Sequence, residues 1–144
     1  MASFSFVRTI NLPIEKVWSV LANFTSPPAP DIEIKVEKEG DAGLNGGGTI
    51  RTVTVGKESA RQVIGAVDPS HSYTYRMTDH LLLKDYQARC ELTGDDESTV
   101  VHYHADLKPR IPLTGGLACL KAKAAVNNYF DLIEKHHCEE RQKY

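Results

Sequence analysis

The sequence predicts an α+β fold: a curved antiparallel sheet of about seven strands wrapped around a long C-terminal helix, with one or two short helices after the first strand. Three observations predict it. The last third holds a strand-like run, Val100-Val101-His102-Tyr103-His104-Ala105-Asp106-Leu107, and then one helical stretch from about Gly116 to Gln142. From Ile32 to Asp106 the chain reads as strands and turns. A single long helix beside such a sheet hides its apolar stripe by lying across it.

Each element has its own signal. Ser3 to Ile10 alternates Phe4, Phe6 and Arg8 against Ser5, Val7 and Thr9, an opening strand. Pro13 starts a helix in which Ile14, Val17, Trp18 and Leu21 recur at helical spacing, ending near Asn23. The prolines of Thr25-Ser26-Pro27-Pro28-Ala29-Pro30 make a loop, because each removes a donor and restricts its neighbour. Strands follow at about Ile32–Glu39, Thr49–Val55, Ala60–Val67, Ser72–Thr78, Lys84–Leu92 and Thr99–Leu107. Turns at Gly40 to Gly48, Gly56-Lys57, Asp68-Pro69-Ser70 and Gly94 to Glu97 are short enough for a meander.

On a wheel of about 100° per residue, the long helix gathers Ala118, Cys119, Ala122, Ala125, Val126, Tyr129, Phe130, Leu132 and Ile133 on its apolar side. Lys121, Lys123, Asn127, Asn128, Asp131, Glu134 and Lys135 take the rest. The inward residues are small in the first half and large in the second. Small residues in a close-packed interior either let backbones approach or leave a hollow. Opposite this helix, alternation puts Tyr73, Tyr75 and Met77 on one strand face. Tyr86, Ala88, Cys90 and Leu92 share a face of the next strand, and Val101, Tyr103, Ala105 and Leu107 one of the last. The reverse faces carry Arg76, Gln87, Arg89, Glu91, His102, His104 and Asp106, which look to water. Four tyrosines turned toward the helix place hydroxyls near an apolar interior, where each needs a partner.

Composition bounds the function. At 144 residues, 1–144 reads as a single domain large enough to bury a core without staples. A net charge of -2 with interspersed acids and bases gives no nucleic-acid footprint. Cys90, Cys119 and Cys138 are odd in number and widely spaced, as expected of reduced thiols in a cytoplasmic protein. The segment Met1-Ala2-Ser3-Phe4-Ser5-Phe6 lacks the layout of a signal peptide, and no apolar run approaches membrane length.

Few constellations suggest chemistry. His102, His104 and Asp106 are metal-ligand types, but residues two apart on a strand stand about 6–7 Å from each other and here face outward. His136-His137-Cys138 diverges by about 100° per residue and reads as a surface helix end. Gly46-Gly47-Gly48 lacks the Lys-Ser/Thr of a phosphate loop, and fits a movable hairpin at a cavity mouth. Acid–base work would fall to Tyr73, Tyr75, Tyr86, Tyr103, Arg76 or Arg110, a thin set. No metal and no cofactor is expected.

The chain resembles the START-like superfamily, the helix-grip fold also named SRPBCC, or polyketide cyclase/dehydrase and lipid-transport proteins. The resemblance rests on Val17-Trp18 with Phe24, the lead-in from Gly46 to Arg51, Asp68 before Tyr75, Lys84-Asp85-Tyr86, and Thr99 to Pro109 with an aromatic at Tyr103. Two departures stand out: Pro28-Ala29-Pro30 replaces a loop aromatic, and Arg61 and Gln62 occupy a strand where many relatives carry glutamate. The resemblance implies a cavity between sheet and helix for a lipid, polyketide, hormone or other small hydrophobic ligand. Its expected lining is Phe24, Tyr73, Tyr75, Met77, Tyr86, Ala88, Tyr103, Ala118, Cys119, Ala122, Ala125, Val126 and Tyr129. A non-catalytic binder or carrier is the first reading. A cyclase- or dehydratase-like enzyme using the tyrosines is the second, and a stress or interaction module with a vestigial cavity the third. Lack of an inward acid or histidine favours the first over the second.

Overall fold

The structure, a computed structural model, describes residues 2–78, 80 and 82–142, with 138–142 as helical backbone only. Strand β1 (Ala2–Ile10) leads to helix α1 (Ile14–Leu21), then β2 (Ile32–Lys38) and a 3-10 turn (Ala42–Leu44). Strands β3 (Ile50–Val55), β4 (Glu58–Asp68), β5 (Ser72–Thr78), β6 (Leu83–Gly94) and β7 (Thr99–Pro109) follow, before helix α2 (Gly115–Gln142). All seven strands form one antiparallel sheet in the order β1-β7-β6-β5-β4-β3-β2. The meander from β2 to β7 is what short hairpin turns dictate. β1 then closes on β7, pairing Phe4 with Ala105 and Phe6 with Tyr103.

Alternation sorts the strands as expected. In β6 and β7, Tyr86, Ala88, Cys90, Leu92, Val101, Tyr103, Ala105 and Leu107 are all buried, whereas Gln87, Arg89, His102 and His104 are exposed. The buried residues join Phe130 and Ile133 of α2 and Val17 and Leu21 of α1 in one core. α1 is shorter than the sequence suggests. It stops at Leu21, where the Ala22 N–H donates to the Trp18 carbonyl at 2.8 Å. Its start is fixed by the Ile14 N–H donating to the Asp95 carbonyl at 3.0 Å and by Thr99 Oγ1 donating to the Leu12 carbonyl at 2.9 Å.

Helix α2 packs chiefly on β1 and β7, along one side of the sheet. A Cβ built on Gly115 would stand 3.1 Å from that of Ala2, so the helix begins close to the edge strand. Further along, Arg8 of β1 holds the helix through four bonds. Its guanidinium donates to the Asn127 carbonyl and Oδ1 at 3.1 and 3.4 Å, to Asp131 Oδ1 at 2.6 Å and to Glu134 Oε2 at 2.8 Å. Phe130 meets Phe6 edge-on with centroids 6.3 Å apart. The second half of α2 is thus seated on β1.

The glycine hairpin is not free of the rest of the fold. Thr49, 1 % exposed, donates from Oγ1 to the Gly46 carbonyl at 2.7 Å and accepts the Gly40 N–H at 3.0 Å. Gly46 is required there: its φ is 92°, and a Cβ would stand 2.9 Å from the Phe24 ring. His137 is not a free surface group either. It is half-buried, and Nε2 donates to the Pro28 carbonyl at 2.8 Å, joining α2 to the proline loop. The side chain of Cys138 lies outside the described residues.

Candidate functional site

The inner face of the sheet is built in rows across the strands. Arg51 pairs with Gln62, and Gln62 with Met77. Tyr75 pairs with Ala88, Ala88 with Ala105, and Ala105 with Phe4. Tyr73 pairs with Cys90, Cys90 with Tyr103, and Tyr103 with Phe6. The register therefore gathers tyrosines from β5, β6 and β7 at the centre of the concave face.

Their hydroxyls find one another. Tyr103 shares hydrogen bonds with Tyr75 and with Tyr86, at 2.5 Å each. Tyr75 stacks on Tyr73 and lies tilted against Tyr86, with centroids 6.2 Å apart in both pairs. Burial raises all five tyrosine phenols on this side, Tyr73, Tyr75, Tyr86, Tyr103 and Tyr129, above their usual value. Burial likewise pushes the Cys90 thiol up to about 12. Phenols held neutral can donate and accept hydrogen bonds but are poor bases at neutral pH. The arginines considered for catalysis lie elsewhere. Arg76 is exposed, and Arg110, also exposed, donates to the His80 carbonyl at 3.0 Å.

The expected ligand residues divide into three groups. Phe24, Tyr73, Tyr86, Ala88 and Tyr103 are buried in the core. Tyr75, Met77, Ala118, Cys119, Ala122, Val126 and Tyr129 face inward and pack against it, yet remain half-buried. Ala125, expected on the inner stripe, is exposed. At about 100° per residue it falls on the flank of an arc centred on Ala122 and Val126, so the outer edge of the stripe turns to water. Two open depressions, of about 550 and 410 Å³, lie mainly on the outer side of the sheet. One runs along Pro27, Pro30, Glu33, Lys35, Thr52 and Thr54, the other along Ser5, Val7, Arg89, Glu91, His102 and His104. Of the expected ligand residues, only Tyr103 touches either.

One inner residue escaped the sequence reading. Arg51 is 3 % exposed, beneath Phe24, with its guanidinium carbon 5.4 Å from that ring's centroid. Its Nε and Nη2 donate to Gln62 Oε1 at 3.2 and 3.0 Å, and Nη1 donates to the Phe24 carbonyl at 3.3 Å. The signal was available, because Arg51 alternates with Val53 and Val55, the apolar face of that strand. Of the departures noted above, Gln62 is thus the inner one, and Arg61 points outward to Glu37 at 2.6 Å. His102 and His104 are exposed as expected, with His104 Nε2 3.2 Å from Asp106 Oδ1.

Comparison with known proteins matches this architecture. The sequence pattern of the family described as polyketide cyclase / dehydrase and lipid transport covers residues 1–132. No curated protein matches the sequence. Among solved structures, a START superfamily protein from Mycobacterium smegmatis superposes with a TM-score of 0.75 at 12% identity, over 94% of this chain and 96% of that one. An uncharacterized protein from Bacillus thuringiensis gives 0.74 at 15% identity, over 93% and 97%. Ara h 8.0201 gives 0.71 at 19% identity, over 92% and 95%. The fold is the START helix-grip, and the chain belongs to the polyketide cyclase/dehydrase and lipid-transport family.

Proposed function

We propose that the protein binds a small apolar or amphipathic molecule between the inner face of the sheet and the first half of α2, and performs no chemistry on it. One observation carries this reading. Tyr75, Met77, Ala118, Cys119, Ala122, Val126 and Tyr129 point inward and yet keep accessible surface. Apolar side chains on an inner face that still touch solvent offer area for a ligand to cover, at roughly 25 cal/mol per Å² before entropy losses. The hydroxyls of Tyr75 and Tyr129 would orient the guest. The family description, with its lipid-transport branch, agrees with the proposal.

A cyclase- or dehydratase-like reaction has less support. It needs a group that changes protonation near neutral pH, and the inner phenols are raised away from that range. No described carboxylate is buried. Native mass spectrometry of freshly purified protein tests the proposal: a co-purified apolar molecule, released on denaturation and unaltered, is expected. Turnover of a polyketide-like substrate by the pure protein would overturn it.

A further inference from the structure

The two arginines of the inner face are treated differently by the chain. Arg8 is met by two carboxylates, Asp131 and Glu134, at 2.6 and 2.8 Å. Arg51, buried more deeply, takes part in none of the ion pairs among the described residues. Its partners are neutral: the Gln62 amide oxygen, the Phe24 carbonyl and, within hydrogen-bonding reach, the Tyr129 hydroxyl. Three of its five N–H donors are engaged by the Gln62 and Phe24 oxygens. The Phe24 ring gives only the weak attraction of an aromatic face. A cation taken out of water without a counter-ion is among the costliest groups to bury. A residue kept only to fill this place would be better apolar.

The surroundings give that charge a use. Tyr129 of α2 and Tyr73 of β5 both lie within electrostatic reach of the guanidinium, so sheet and helix meet around it. Along the row from Arg51 come Gln62 and the half-buried Met77. Along the helix from Tyr129 come Val126, Ala122 and Ala118 at helical spacing, about 16 Å of small, half-exposed surface at ~1.5 Å per residue. A positive, hydrogen-bond-rich end thus adjoins an apolar strip.

We propose that Arg51 is the anion-holding end of the cleft, and that the ligand is an apolar chain ending in a carboxylate. This rests on the binding reading given above. A carboxylate matches a guanidinium fork in geometry and charge, and supplies the counter-ion the fold omits. The Tyr129 hydroxyl donates a further hydrogen bond to it, and the chain lies along Met77, Val126 and Ala122.

The test is competition against the neutral fluorescent probe N-phenyl-1-naphthylamine, using dodecanoate, methyl dodecanoate and dodecan-1-ol, on wild type, Arg51→Gln and Arg51→Lys at pH 7.5. Dodecanoate is expected to displace the probe from wild type at a concentration on the order of tenfold below that of the ester or alcohol, as charged hydrogen bonds warrant. Read against each variant's own probe affinity, Arg51→Gln should rank the three competitors alike, and Arg51→Lys should restore part of the preference. Wild type that takes the probe yet ranks acid and ester equally overturns the role of Arg51 alone. So does a preference that survives in Arg51→Gln. Wild type that takes neither probe nor dodecanoate overturns the cleft itself, and this assignment with it. Should Arg51→Gln fail to fold, the wild-type ranking of acid against ester still decides.

Discussion

The Tyr103 hydroxyl stands 2.5 Å from those of both Tyr75 and Tyr86, so three phenols share their hydrogen bonds within the sheet's concave face. Sharing lets their hydroxyls stay out of water, and that desolvation keeps them neutral. The sign of the pH effect follows. A phenol whose folded pKa lies above its unfolded value of ~10 stabilises the fold below that pH, and the contribution is lost as pH rises through the folded pKa. Spectrophotometric titration of the native protein near pH 10 should therefore show little tyrosinate from Tyr73, Tyr75, Tyr86, Tyr103 and Tyr129. They should ionise together with unfolding at higher pH. Several phenols titrating near 10 in a folded protein would contradict their burial. Trp18 belongs to the same wall: half-buried, it meets Tyr73 edge-on at 6.4 Å. Trp18→Ala should cost about 2–3 kcal/mol in urea melts, below the ~3–5 of a fully buried aromatic. A loss under 1 kcal/mol would mean that this contact contributes little. At this scale the sequence told a good deal. Alternation separated Tyr103 from His102 and His104, because a strand has only two faces. It also marked Arg51 as inward, but the habit of placing charge outside hid that signal.

At the scale of elements, α2 has two halves with different tasks. Phe130 and Ile133 anchor the second half in the core, at 1 and 2 % exposure, and Arg8 binds its Asn127, Asp131 and Glu134. The first half, with Ala118, Cys119 and Ala122, keeps its inner surface partly open. Arg8→Met should remove the anchor but leave the stem's packing. A loss of about 1–2 kcal/mol is expected, since the bonds are charge-assisted while Asp131 is largely in water. Thermal melts should show a drop of several degrees, with faster amide exchange in α2 than in the sheet. An unchanged melting temperature would show that the ion pairs are incidental. The change from small to large residues along α2 was readable from the sequence. The turn of Ala125 to water was not, because the width of a buried stripe depends on where the helix sits across the sheet. The bond from His137 to Pro28 escaped for a related reason: it joins segments 109 residues apart.

For the whole molecule, element identity and the meander from β2 to β7 followed from alternation and turn chemistry, physics local to a few residues, whereas the pairing of β1 with β7 joins distant segments and did not. How far α2 stands from β5 and β6 is not local. It depends on how the whole helix is seated on β1 and β7, which no single segment encodes. Ligand binding depends on that spacing, and Ala122→Phe probes it. A ring at Ala122 occupies the middle of the half-open stripe. Overpacking a filled core costs about 1–3 kcal/mol, whereas filling a ligand cleft leaves the fold intact. Probe uptake and melting temperature measured on the same samples separate the two. Wild type should take up N-phenyl-1-naphthylamine, and Ala122→Phe should lose it while melting within a degree or two of wild type. A wild type that never takes the probe, with an Ala122→Phe that melts far earlier, would mean that the helix sits tight on the sheet and that there is no cleft to fill.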